Sequence, residues 1–279
     1  MISNIFNLLS KLGKNKLGVD NMTRMPLIFV GHGSPMNAIE DNIFTRVWRD
    51  MAKRIAKPKA IVSISAHWYT KGTKIMNEKY PKTIYDMYGF PQELYEIVYN
   101  SPGNPLLAEN SKMLIKKDSV FDNSWGIDHG TWSVLVHMYP ERDIPLFQIS
   151  IDAAAPPSVH YEIGKNLTSL RDEGVLIFGT GNIVHNLRLV DWSAGDTGFD
   201  WAYEFDNYIK DNIQNGNHEN VINYKNMGDK AKLAVPIADH FNPILYILGA
   251  SYENEKVEVF NDKCTLGSLS MTSYIIGLD

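Results

Sequence analysis

Five of the eight histidines in this 279-residue chain stand in turns or at the ends of apolar runs: His32, His67, His129, His185 and His240. The other three, His137, His160 and His218, fall in helix-like or loop-like stretches and read as structural or solvent-facing. A histidine met alone is most often a hydrogen-bonded side chain of the interior. Several in similar positions allow more, because imidazole binds Zn, Cu, Fe and Ni, and three protein ligands leave coordination positions open for substrate. A single cysteine, Cys264, rules out a disulfide within the chain and a thiolate cluster. Any transition metal must therefore be held by imidazoles and carboxylates.

The turns around the histidines narrow the chemistry. In Gly31-His32-Gly33-Ser34-Pro35 the flanking glycines let the backbone approach closely, and a histidine stands where a nucleophile elbow would place serine. Gly179-Thr180-Gly181 resembles the start of a dinucleotide loop, but Val184 occupies the third glycine position and breaks that fingerprint. The segment Trp125-Gly126-Ile127-Asp128-His129-Gly130-Thr131-Trp132 places a carboxylate, a histidine and two tryptophans in a turn before a helix. An apolar wall there would lower the histidine's pKa.

The elements that must position these residues are strands buried on both faces. Unbroken apolar runs at 27–30, 60–65, 145–151 and 175–178 each stop at a turn, as parallel or mixed-sheet strands do. Helices are expected at about 38–56, 105–117, 131–139, 157–173, 201–214 and 242–250, the last capped by Asp239 or Asn242 with Pro243 in its first turn. Val257 to Phe260 and Ser268 to Ile276 read as closing strands, the second suiting a sheet edge. The pattern predicts a single-domain α/β fold, a mostly parallel or mixed central sheet flanked by helices. In such sheets ligands sit beyond the carboxyl ends of the strands, and His32, His67 and Asn182 are expected immediately after strands. The Tyr-, Pro- and Gly-rich stretch from Lys79 to Pro105 reads as a long excursion, a wall or lid over a pocket for an aromatic ligand.

Composition bounds the partners. A net charge of −5 with scattered basic residues argues against nucleic acid, and the cluster from Lys53 to Lys59 reads as a solvated helix end. No apolar run reaches the roughly 20 residues of a membrane span. The lone cysteine suits a reducing cytoplasm. Residues 1–24 are expected to form an extension, an amphipathic helix on the domain, with the catalytic domain at 25–279.

Taken in register, GHGSPM at 31–36, SAHW at 65–68, YDMYGFP at 85–91, GIDHGTW at 126–132, GTGNIVHNL at 179–187 and ADHFNP at 238–243 resemble the class III, LigB-type extradiol ring-cleaving dioxygenases. The likeness is strongest to the single-domain 4,5-DOPA extradiol dioxygenase branch and runs from about residue 23 to the C-terminus. It implies a mononuclear non-haem metal, Fe(II) for catalysis with Zn(II) also suited to the ligands, and O2 as co-substrate. A small catechol such as DOPA would be opened to a muconic semialdehyde by a monomer or small homo-oligomer. His32, His67 and His240 match the family's metal ligands, with Asp239 as a competitor or supporting partner of His240. His185 matches the acid–base histidine, which is sometimes counted as a fourth ligand, and His129 a second pocket histidine. Two rivals stand beside this reading: a zinc-dependent hydrolase on the same scaffold, and a metal- or aromatic-binding protein without catalysis.

Overall fold

The structure is a computed structural model in which residues 24–278 are described. Apart from Arg24, the expected N-terminal extension lies outside the described residues.

Four strands whose residues are almost all buried form the middle of an eight-stranded sheet: β1 (Leu27–Gly31), β2 (Ala60–Thr70), β5 (Leu146–Asp152) and β6 (Val175–Gly181). They lack the two-residue alternation of a half-solvated strand because both faces are covered. On one side the sheet continues through β3 (Thr73–Ile75) to β4 (Ser119–Phe121), and on the other through β10 (Ser273–Ile276) to β7 (Val257–Phe260). The order is β4-β3-β5-β2-β6-β1-β10-β7, with a separate hairpin of β8 (Cys264–Thr265) and β9 (Leu269–Ser270). The central pairs β5-β2, β2-β6 and β6-β1 are parallel, while β10 runs antiparallel to both its neighbours. The sheet is mixed, as the apolar runs predict.

Of the two closing strands, Val257 to Phe260 forms as expected and the other departs from expectation. The run from Ser268 is strand only at its ends, and β10 lies inside the sheet, fully buried, while β7 takes the edge. The small polar side chains of this stretch serve buried hydrogen bonds instead: Ser273 Oγ accepts from the Gly31 amide and donates to the Met271 carbonyl. Because β10 is antiparallel to β1, the residues leading into it lie at the carboxyl end of β1.

Nine α-helices are assigned among the described residues: α1 (Ile43–Arg54), α2 (Gln92–Tyr95), α3 (Pro105–Leu114), α4 (His129–Met138), α5 (Pro157–Leu167), α6 (Asp200–Gln214), α7 (His218–Ile222), α8 (Asp229–Ala234) and α9 (Asn242–Gly249). The helix expected at 157–173 ends in a 3-10 turn at Thr168–Glu173 after α5, and the one expected from 38 starts only at Ile43, where Asn42 caps it, after a 3-10 turn at Pro35–Ala38. Neither Asp239 nor Asn242 caps α9, which starts with Pro243 in its first turn and no side-chain cap. All eight of its residues are buried, as suits a helix that is apolar all round.

Helices cover the sheet on both sides. The pleat of β6 shows it in three residues: Thr180 Oγ1 donates to the Gly130 carbonyl of α4, while Gly179 and Gly181 turn towards Pro243, Ile247 and the His240 carbonyl. A β-carbon at Gly181 would lie 2.1 Å from that carbonyl oxygen. Only glycine lets the His240 turn approach the sheet so closely.

Candidate metal centre

Three separate segments deliver the central histidines. His32 follows β1 directly, its amide donating to the Gly181 carbonyl at the end of β6. His67 lies within β2 rather than after it, because the strand runs on to Thr70 through a register irregularity between Ile64 and Tyr69. A bulge of this kind re-aims side chains locally. His240 stands just before α9, where the Asn182 amide donates to its carbonyl.

One potential ligand atom from each of His32, His67 and His240 lies within 4.8 Å of the others. Their ring centres are 5.1, 5.3 and 5.0 Å apart, and the Nε2 atoms of His32 and His67 face each other at 3.1 Å. Three imidazoles holding one ion tetrahedrally, at metal–nitrogen distances of about 2.0–2.1 Å, have ring centres about 5 Å apart. The donor set therefore fits a single metal ion. Two facing imidazole nitrogens also call for a proton or a cation between them, since lone pairs repel.

Each of the three rings has an oxygen at Nδ1. Thr180 Oγ1, already donating to the Gly130 carbonyl, can only accept from His32 Nδ1–H at 2.9 Å, which leaves His32 Nε2 as a lone pair. His67 Nδ1 lies 3.0 Å from Asp86 Oδ2, and His240 Nδ1 lies 3.0 Å from Asp239 Oδ1, neither contact in good line for a hydrogen bond. Such partners orient an imidazole and raise its basicity towards a metal. Two carboxylates also offset the charge of a divalent ion on three neutral ligands.

Burial dominates the electrostatics. It holds His32 and His240 well below the ordinary histidine value, and neighbouring histidines push them further down. Burial acts on His67 in the same sense, but Asp86, with Asp128 and Asp239 behind it, outweighs it and the net shift is upward. Asp86 is itself desolvated, yet its contacts with His129 and His67 hold its carboxyl far below the usual range. Asp239 is raised by burial.

The two remaining histidines flank the trio. His129 begins α4 rather than preceding it, since Asp128 is the cap. Its ring centre lies 3.9 Å from that of His67, and its Nδ1 bonds Asp86 Oδ1 at 2.9 Å. His185 stacks on His240, with ring centres 3.5 Å apart and planes within 7°. Lone pairs of an imidazole lie in its ring plane, so the two parallel rings aim theirs in separate planes, although one potential ligand atom each of His185, Asp239 and His240 lies within 4.8 Å of the others. Burial pushes His185 down to about 4. Its backbone is held by the Ala234 carbonyl and by a bridge to Leu269. His137, His160 and His218 lie outside the cluster, bonded to the Asn37 carbonyl, to Tyr246 and to Tyr161.

Asp86 lies in the YDMYGFP motif and Thr180 in the Gly179–Gly181 turn, and neither position by its sequence alone points to the histidine it meets.

Residues 22–277 match the family described as the catalytic LigB subunit of aromatic ring-opening dioxygenase. The chain belongs to this family. It is 43% identical to 4,5-DOPA dioxygenase extradiol of Escherichia coli K12, over 91% of this chain and 96% of that protein. The Beta vulgaris protein of the same name is 38% identical, over 88% and 94%. A crystal structure of an uncharacterized Escherichia coli K12 protein superposes with a TM-score of 0.80 at 39% identity, covering 91% of this chain and all of that one. The chain is thus an oxidoreductase, a ring-opening dioxygenase of the extradiol type. No helix among the described residues is long and apolar enough to cross a membrane.

Proposed function

We propose that this chain opens a catechol such as DOPA with O2, at one metal ion held by His32, His67 and His240. The reading assigns catalysis to Fe(II), with Zn(II) able to occupy the same ligands. It treats 25–279 as one catalytic domain with residues 1–24 as an extension, and the buried lone Cys264 fits a reducing compartment such as the cytoplasm. The observation that carries it is the triangle of ring centres about 5 Å on a side, each ring with an oxygen at Nδ1. When bound, ferrous iron would supply a chelating centre for the two catechol oxygens and electrons for O2 activation.

The chain's residues supply proton handling and exclusion of water. His185, kept neutral by burial, offers a lone pair that can accept a proton from a catechol hydroxyl whose acidity a bound ion would raise. The imidazolium it becomes is a stronger acid in that buried setting and can return the proton to an oxygen as the ring opens. Its parallel stack on His240 supports an acid–base role for His185 over that of a fourth ligand. His129, buried and anchored to Asp86, lies beside His67.

Aerobic protein reconstituted with Fe2+ is expected to turn catechols into yellow semialdehydes and to be inert without O2; cleavage under anaerobic conditions would instead indicate hydrolysis. Replacing His185 by Phe is expected to lower turnover by about 10²–10⁴-fold while the ion is retained. Unchanged ring cleavage in that variant would remove the acid–base role.

A further inference from the structure

Asp86 belongs to the long excursion between β3 and α3, not to the sheet or to the turns that carry the histidines. That excursion is pinned to the domain close to Asp86: the Ile84 amide donates to the Ile127 carbonyl, and Trp132 Nε1 donates to the Ile84 carbonyl. Tyr85 Oη donates to the Ile97 carbonyl. The carboxylate so delivered is largely buried and divides its two oxygens. Oδ1 accepts from both His129 Nδ1–H and the His129 amide, at 2.9 and 3.0 Å. Oδ2 is buried without an aligned hydrogen bond, and His67 Nδ1 stands 3.0 Å from it.

We propose that Asp86 is a positioning residue shared between the ligand His67 and the pocket histidine His129, so that each histidine's hold on it is set by the other's. This rests on the ligand assignment made above. One carboxylate has one charge to distribute. When His129 draws on it fully, His67 receives less support at Nδ1 and donates less strongly through Nε2. When His129 lets go, the reverse holds. Both imidazoles present Nδ1 to Asp86, and His67 turns its Nε2 towards His32 Nε2 at 3.1 Å.

The test is a double-mutant cycle read by Co2+ affinity, using chelator competition and the visible absorption of the Co2+ protein. Asp86→Asn is expected to weaken Co2+ binding roughly 10–100-fold, the effect of removing a ligand's outer partner. His129→Phe is expected to tighten Co2+ binding at least threefold in the parent and to change it less than twofold in the D86N background. Co2+ affinity unaltered in D86N, or a His129→Phe effect equal in both backgrounds, would overturn the proposal. A purely structural Asp86 would instead lower the melting temperature of the metal-free protein and leave the absorption spectrum of bound Co2+ unchanged. Should D86N not fold, H129F alone decides, since unchanged Co2+ affinity contradicts sharing. His67→Ala separates the two levels. If it loses Co2+ while D86N keeps it, only the role of Asp86 falls; if it binds Co2+ like the parent, the ligand assignment falls as well.

Discussion

A β-carbon on Gly130 would stand 2.7 Å from His67 Cδ2 and 2.8 Å from Ser65 Oγ, closer than non-bonded carbon contacts allow. Gly130 is the second residue of α4, where alanine is intrinsically favoured by about 1 kcal/mol. Gly130→Ala therefore sets two effects against each other, a better helix former against a displaced His67 ring. Little loss of thermal stability is expected, together with a fall of about tenfold or more in affinity for a divalent ion, because displacements of about 1 Å are costly at such a centre. Isothermal titration of the metal-free variant with Zn2+ checks it; parental affinity would mean that His67 has room to yield. The same residue-level economy explains Thr180, whose single hydroxyl hydrogen is spent on Gly130 and so dictates the tautomer of His32.

Helix α4 depends on Asp128, a fully buried carboxylate with more than one task. It caps the helix through the Thr131 amide and accepts from Ser65 Oγ of β2, Gln148 Nε2 of β5 and Trp125 Nε1. One side chain thus joins two strands to the helix that carries His129. Asp128→Ala removes the cap and leaves several buried donors without a partner. A loss of about 3–5 kcal/mol is expected from urea unfolding, with Asp128→Asn less damaging because the amide oxygen still accepts. A loss below about 1 kcal/mol would mean that water replaces the carboxylate.

For the molecule as a whole, Asp206 makes stability pH-dependent. It is buried in α6, accepts from Ser270 Oγ and Thr272 Oγ1, and burial lifts its carboxyl to about 6 from the ordinary 3.8. A folded-state value above the unfolded one means that the native protein holds the extra proton between those limits. Stability contributed by this group is then complete below 3.8, falls as pH rises to about 6 and stays lost above it. The loss is on the order of 3 kcal/mol. Asp206→Asn is expected to raise the melting temperature at pH 8 and to change it little at pH 4. Equal shifts at both pH values would show that hydrogen bonding, and not charge, governs this position.

Residue types and local patterns made much of this protein legible. The central strands are readable because a strand covered on both faces must be apolar throughout, and the histidines stand out because turns of Gly and Pro mark where such strands stop. The six motifs point to the dioxygenase family for the same local reason: each is a short stretch whose backbone and side chains act together. What needed tertiary structure is whatever depends on direction across the sheet. His67 lies inside β2, since hydrogen bonds to the neighbouring strands carry that strand past the histidine. His185 is stacked flat on His240 by a loop clamped between α8 and β9, and no spacing in the chain encodes that angle. Asp86 sits 43 residues from His129 and joins it only because the excursion folds back over the sheet. Sequence alone determined which side chains were available and which turns would carry them; packing decided which ring planes converge on one point, because directional lone pairs depend on orientation that only the folded chain sets.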